Sequence, residues 1–321
     1  MTKVRKKQSI GINLDNRCNA NCAHCCVSSS PTATDKLDDD EVRRIIDDAI
    51  EHPDVVEIGF TGGETLLRKR YALELFKRAT DGGLSITCVT NGYWGLTPER
   101  AKQMFADLEA VGLSAMTISY DDFHSPYISV ESIRNVLEAS KDSPIKTILN
   151  MAVSRTQDSS ALLQELGSSA YCVPVTKYPI LPAGEARNIE DASEFLRVPI
   201  EEKHFRCPGY EVIYHNDGRV LPCCSPGVFD SVLSVASTSA SIDESINKIE
   251  RNGVLAIIQR EGLGWFRDRL KVRRPDCNAA VLEDVVSACD LCSTIFSDSA
   301  NLVALKPDIE DYFESLKPAT Q

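Results

Sequence analysis

The chain has 321 residues, 43% of them hydrophobic and 26% charged, enough apolar material for a sizeable core and too much for bulk disorder. Its 47 acidic residues against 35 basic ones give a net charge of −12, which argues against nucleic acid or an anionic membrane surface as the main partner and favours a neutral or basic one. No run of eighteen apolar residues is present, and the basic segment Met1–Ser9 leads into a single strand rather than a secretory apolar region, so a cytoplasmic location is expected.

The first strand is expected at Ser9–Leu14, followed by a loop carrying four cysteines. The next helix, Asp38–Glu51, opens with Asp38, Asp39 and Asp40, where the helix dipole favours acidic groups. The alternation then continues with strand Val55–Phe60 and helix Tyr71–Ala79, strand Leu84–Val89 and helix Pro98–Ala110, and strand Ala115–Ser119 and helix Val130–Ala139. Strand Ile145–Val153, helix Ala161–Leu166 and strand Cys172–Pro179 complete it, with Gly82-Gly83, Gly112 and Ser143-Pro144 as punctuation. Such βα units predict a parallel sheet covered by helices, either open and doubly wound or an incomplete barrel. The site belongs at the C-terminal ends of the strands. There stand the cysteine loop, Thr61-Gly62-Gly63-Glu64, Thr90-Asn91-Gly92 and Tyr120-Asp121-Asp122. After about Gly184 the pattern breaks. Glu211–His215 and Arg219–Cys223 flank Asn216-Asp217-Gly218, a hairpin signal, and Ile242 to Leu316 reads as mostly helical.

Ten of the twelve cysteines fall into two groups, one near the N-terminus and one after residue 206. In a chain this long, without an export signal, clustering points to metal ligation rather than a disulfide framework. Cys18, Cys22 and Cys25 suit three irons of a cubane, since full ligation takes four thiolates. With His24 beside them, zinc in a Cys₃His site is the alternative.

The Cys18-x₃-Cys22-x₂-Cys25 loop after the first strand and Gly62-Gly63-Glu64 after the second resemble the radical SAM superfamily over roughly residues 9–185. His24 stands where that family often has an aromatic residue. The resemblance implies an α/β fold, a partial (β/α)6 barrel, with S-adenosylmethionine (SAM) on the open iron of a 4Fe–4S cluster. An electron from the cluster then yields methionine and a 5′-deoxyadenosyl radical, while the protein positions the substrate C–H bond. It implies Gly62, Gly63 and Glu64 at the SAM amino group, and Ser119 and Asp121 at the ribose hydroxyls with Asn150 assisting. Ordinary strand-end polarity is the alternative for Ser119 and Asn150. A fourth ligand at Cys26 blocks SAM, so Cys26 reads as a spare buried thiol.

Cys207, Cys223, Cys289 and Cys292 resemble the shortened "twitch" form of the SPASM extension, a C-terminal β-hairpin plus helices carrying a second 4Fe–4S cluster. Structural zinc is the alternative, and Cys277 is a candidate replacement for one ligand. The expected domains are 1–185, the barrel, and 186–321, the second-cluster extension. Beside Cys223 stands Cys224. A two-residue turn at Asp217-Gly218 puts Glu211 opposite Cys224, whereas a three-residue turn puts it opposite Cys223. A thiol S–H is weak enough to give a hydrogen atom to a carbon radical, and a carboxylate in reach holds or re-protonates it; a buried structural cysteine is the alternative. Cys88 and Cys172 are expected in apolar strands of the core. His124, near the barrel mouth, is either a surface residue or a substrate contact.

Among radical SAM proteins the chain looks most like epimerases that convert L- to D-residues in ribosomally made peptides. That similarity rests on short length, the Cys223-Cys224 pair ending the hairpin and the lack of a long peptide-binding domain before Cys18. It implies a ribosomally synthesised precursor peptide as substrate and an electron donor such as flavodoxin or ferredoxin. The competing readings are thioether or C–C cross-linking of a peptide, dehydrogenation of a small alcohol, and a non-catalytic zinc-binding module.

Overall fold

Alternate residues of β1 (Gln8–Asn13) part to two faces. Ile10 and Ile12 are fully buried, whereas Ser9 lines an open cavity. The alternation recurs in the next four strands of the computed structural model, which describes residues 7–200, 205–207 and 209–316. Residues 1–6 of the basic N-terminal segment lie outside the described residues. The βα units run α1 (Asp39–Glu51), β2 (Val55–Thr61), α2 (Lys69–Asp81), β3 (Ser85–Thr90), α3 (Pro98–Ala110) and β4 (Ala115–Ser119). They continue with α4 (Val130–Ser140), β5 (Lys146–Val153), α5 (Ser160–Leu166) and β6 (Val175–Pro179). α1 shows why a helix forms: Asp38 caps it by accepting from the N–H of Asp40 and Glu41, and Val42, Ile45, Ile46 and Ala49 bury one face.

β1 to β6 pair in sequence and in parallel. Ile58, Phe60, Ile86, Met116 and Ile118 point into the core, while Thr61, Val89, Thr117, Ser119 and Asn150 line the cavity. This is the α/β, mostly parallel architecture expected of a partial barrel.

A short strand, β7 (Val198–Pro199), precedes the hairpin β8 (Val212–Tyr214) and β9 (Arg219–Leu221). After α6 (Pro226–Phe229), β10 (Ala236–Ser237) extends the hairpin, and β8 lies parallel to β1, so one nine-stranded sheet runs through the barrel and the hairpin. The rest is α7 (Ile242–Glu250), α8 (Gly253–Arg260), α9 (Gly264–Arg273), α10 (Asn278–Val281), β11 (Asp284–Val285, paired with β7), α11 (Ala288–Phe296) and α12 (Ser299–Ser315). No helix among the described residues is long and apolar enough to cross a membrane.

One local expectation is corrected, and one open alternative is decided. Cys172 closes a 3-10 turn, Gly167–Cys172, instead of starting a strand. Pro174 has no N–H to give a ladder, so only its carbonyl joins β5, accepting from Leu149 N–H at 2.9 Å. In the hairpin, Tyr214 pairs with Val220 and Ile213 with Leu221. The turn therefore spans Asn216-Asp217-Gly218, with Gly218 at a φ of 86°, the three-residue geometry that needs a left-handed residue. Regular continuation sets Glu211 opposite Cys223, not Cys224.

Candidate active site

The loop after β1 is held by its neighbours. Cys18 N–H donates to Ser30 O and Cys25 N–H to Cys22 O, both at 3.0 Å. The loop after β2 lies directly on its backbone, with Gly63 N–H on Asp15 O at 2.7 Å and Glu64 N–H on Arg17 O at 2.9 Å. A Cβ on Gly63 would stand 2.1 Å from Arg17 O, and one on Gly62 2.7 Å from Asp15 O, so close approach requires both glycines. From the other side, a Cβ on Gly184 would meet Cys25 O at 2.4 Å. Clamped in this way, Cys18, Cys22 and Cys25 lie within electrostatic reach of one another. Burial pushes the Cys18 thiol up to about 11 and Cys22 higher, and the neighbouring sulfurs add repulsion. Cys26 is pushed up to about 12, again mainly by burial.

Glu64 is buried, and its carboxylate is committed within the protein. Oε1 accepts from Leu66 N–H at 3.0 Å and the Thr90 hydroxyl at 2.7 Å, and Oε2 from Asn91 N–H at 2.7 Å. It ties the loop after β2 to the end of β3, while the Gly62-Gly63 backbone lines the cavity. Burial raises its pKa, opposed by these three donors.

Asp121 is also committed elsewhere. Oδ1 accepts from the N–H of Phe123 (3.0 Å) and His124 (3.1 Å) and from His124 Nδ1 (2.8 Å), and Oδ2 accepts from Ala152 N–H (2.9 Å). The residue is wholly buried, so the ring of His124, and not the carboxylate, reaches the cavity wall. Burial pushes the Asp121 carboxyl up, but the hydrogen bond and charge of His124 outweigh it and hold it below the usual range. His24 stacks on Phe123 with centroids 4.5 Å apart, and burial lowers it to about 4. Ser119 and Asn150 line the cavity as neighbours across β4 and β5; the Asn150 side-chain oxygen accepts from the Thr176 hydroxyl.

This cavity, of about 1430 Å³, continues to Cys207, Cys223, Cys224, Cys289 and Glu211. Cys207, Cys223, Cys289 and Cys292 gather within electrostatic reach of one another, with Cys223 pushed up to about 12 mainly by burial. Cys277 lies elsewhere, in a separate cleft of about 590 Å³ with Arg274 and Asp298. Cys224 opens onto the main cavity, and the Glu211 carboxylate on the same wall lies within electrostatic reach of its thiol. This proximity exists although the register opposes Glu211 to Cys223. Glu211 N–H donates to Pro222 O at 2.9 Å, one residue short of where a regular ladder takes it.

The radical SAM superfamily pattern matches residues 12–162. A Bacillus subtilis (strain 168) protein named for peptide biosynthesis, YydG, is 34% identical over 311 residues, covering 95% of this chain and 97% of its own. The chain belongs to the radical SAM superfamily. Among solved structures, anSMEcpe with bound AdoMet and a Cp18Cys peptide superposes with a TM-score of 0.55 at 12% identity, covering 97% of this chain and 100% of that one. BtrN in complex with AdoMet and 2-DOIA gives 0.50 at 16% identity, covering 83% of this chain and 91% of that one. Both show a shared fold.

Radical SAM membership carries SAM and a 4Fe–4S cluster, and the donor set fits them. Among the described residues, only His24, Asp121 and His124 offer three ligand atoms all within 4.8 Å of one another; no three cysteine sulfurs come that close. Thiolates on one zinc, at about 2.3 Å each, would hold sulfurs under about 4 Å apart. Thiolates on separate irons of a cubane stand wider. The His24–Asp121–His124 group is an internal network, since four donors already fill the carboxylate. Sequence reasoning missed Tyr178, which lines the cavity from β6 opposite Ala152; its facing became legible only with the true start of that strand.

Proposed function

We propose that this radical SAM enzyme modifies a ribosomally made precursor peptide by epimerising L-residues to D-residues. Cys18, Cys22 and Cys25 would hold the SAM-binding cluster, and Cys207, Cys223, Cys289 and Cys292 a second one. The backbone of Gly62-Gly63, with Ser119, Asn150 and His124 on the same wall, would orient SAM. Bound SAM, cleaved by one electron from the cluster, would supply a 5′-deoxyadenosyl radical able to take the Cα hydrogen of an L-residue. Cys224 then gives its S–H hydrogen to the other face of the planar carbon, and the resulting thiyl regains the thiol by taking one electron and one proton. An external donor such as flavodoxin or ferredoxin would supply both electrons, the one that cleaves SAM and the one that restores the thiol.

The observation that carries this reading is the Cys224–Glu211 pair on the cavity wall. Surrounding protein, together with the Glu211 charge, pushes the thiol up to about 11, so it keeps the hydrogen that must be transferred. Glu211 would hold the S–H by accepting from it and pass a proton back. The similarity to a protein named for peptide biosynthesis supports a peptide as substrate.

The test is anaerobic turnover in D₂O with SAM, a reductant and the small peptide encoded beside the gene, comparing wild type with Cys224→Ala. One deuterium per altered residue, with D-residues formed by wild type only, is expected. Loss of two hydrogens without deuterium, equal in both proteins, would move the assignment to cross-linking or dehydrogenation.

A further inference from the structure

Asn91 is the first residue after β3, and only 5% of its surface is exposed. Its backbone N–H is taken by Glu64 Oε2 at 2.7 Å, and its Oδ1 accepts from Tyr93 N–H at 3.0 Å. That second contact fixes the orientation of the amide, because a flipped side chain would set NH₂ against N–H. Nδ2 then has two hydrogens to place. One goes to Asn19 Oδ1 at 2.9 Å, the other toward Cys18 Sγ at 3.7 Å. With every polar atom engaged, the side chain has no reason to turn away from the sulfur.

From this geometry we propose that Asn91 is a positioning residue that raises the reduction potential of the SAM-binding cluster by donating a hydrogen bond to the Cys18 sulfur. The inference rests on the reading of Cys18 as an iron ligand. A donor at a ligating sulfur stabilises the extra electron of the reduced cluster, so its loss makes reduction harder. Among the described residues, the other donors to these sulfurs are backbone groups: Ala20 N–H to Cys18 at 3.4 Å and Ser29 N–H to Cys25 at 3.2 Å. No side-chain substitution removes them, whereas Asn91 can be removed alone. The buried Glu64 carboxylate, within electrostatic reach of Cys18, opposes the added electron, and the Asn91 amide stands against that opposition. Glu64 thus does two things: it fixes Asn91 through one hydrogen bond and sets the field that Asn91 offsets.

The experiment is a redox titration of anaerobically reconstituted full-length protein, followed by electron paramagnetic resonance. The signal that changes on adding SAM identifies the first cluster. Wild type, Asn91→Ala, Asn91→Asp and Asn19→Ala are compared, each with iron content and circular dichroism. Asn91→Ala is expected to hold full iron and titrate at a more negative potential, so that several-fold less cluster is reduced at the wild-type midpoint. Asn91→Asp keeps the shape and the acceptor for Tyr93 but loses the donor and adds charge, so it shifts further. Asn19→Ala, which leaves the donor to sulfur in place, stays near wild type. Unchanged potentials in iron-replete Asn91 variants overturn the proposal. So does loss of iron from both in folded protein, which makes Asn91 a scaffold residue instead. Full assembly of a SAM-responsive cluster in Cys18→Ala is a different failure, that of the ligand assignment beneath the proposal.

Discussion

Gly63→Ala tests whether the crossing of the first two loops is what holds the cysteine loop in shape. The added methyl would lie 2.1 Å from Arg17 O and 2.4 Å from Arg17 C. Carbon–oxygen contacts settle near about 3.3 Å, so the two backbones must part by roughly 1 Å. That motion breaks or stretches the two bonds that staple them, Gly63 N–H to Asp15 O and Glu64 N–H to Arg17 O. At about 1 kcal/mol net for each bond, plus about 1–3 kcal/mol for overpacking, the substitution should cost about 3–5 kcal/mol. For a chain of this size that is a melting point lower by roughly 4–7 °C. Gly83→Ala is the control: a Cβ there meets nothing within 4 Å, and only its φ of 89° adds strain of about 1–2 kcal/mol. Thermal unfolding of cluster-free protein reads the first effect, and iron bound after anaerobic reconstitution reads the second, which should fall in Gly63→Ala and not in Gly83→Ala. A Gly63→Ala protein melting no lower than the Gly83→Ala control, with full iron, would refute the argument.

Two further outcomes are expected. The Asp121 carboxyl is held below its ordinary value of 3.8, so its ionised form adds stability that is fully present above that value and is lost as pH falls through the lower folded one. Asp121→Asn should therefore cost about 2–3 kcal/mol at neutral pH, with the gap to wild type closing only below 3.8; urea curves on cluster-free protein at about pH 7 and about pH 3 check this, and an equal gap at both contradicts it. Cys292→Ala should lower bound iron by about four atoms per chain, one cluster's worth, while Cys277→Ala, lying in its own cleft, should leave iron unchanged. Equal iron loss in both would return Cys277 to the ligand set.

The βα order was legible because apolar residues such as Ile10 and Ile12, or Val42, Ile45, Ile46 and Ala49, repeat with the period of their element. The cysteine loop was legible because its spacing is local. The commitment of Asp121 was not. An aspartate that accepts from residues two and three ahead is a common local motif, and Phe123 and His124 stand at those positions, yet nothing local reveals the donor Ala152 on the next strand. Likewise, an Asp-Gly turn signals a hairpin without fixing its length, since Gly218 serves both two- and three-residue turns. The length decided the pairing, and a departure from the ladder at Pro222 then returned the Glu211 side chain to Cys224.

Inversion at carbon needs a hydrogen taken from one face and returned to the other, so groups sharing one side of the substrate cannot perform it. The sheet bears on this demand. β8 runs parallel to β1 with Val212 beside Ile10, so Glu211 stands level with Ser9, while the cysteine loop leaves β1 only after Asn13. At about 3.3 Å per residue, the five steps from Ser9 to Leu14 separate the two levels by roughly 16 Å along one strand direction. An extended peptide backbone, which occupies about 5 Å between neighbours in a sheet, fits within that interval with its flanking contacts. A cross-linking enzyme needs no hydrogen donor on the far wall, because bond formation closes its radical. Cys224, Glu211 and the cysteine loop line one cavity, and under the proposed reading this separation of levels is a placement that an epimerase would use and a cross-linking enzyme would not.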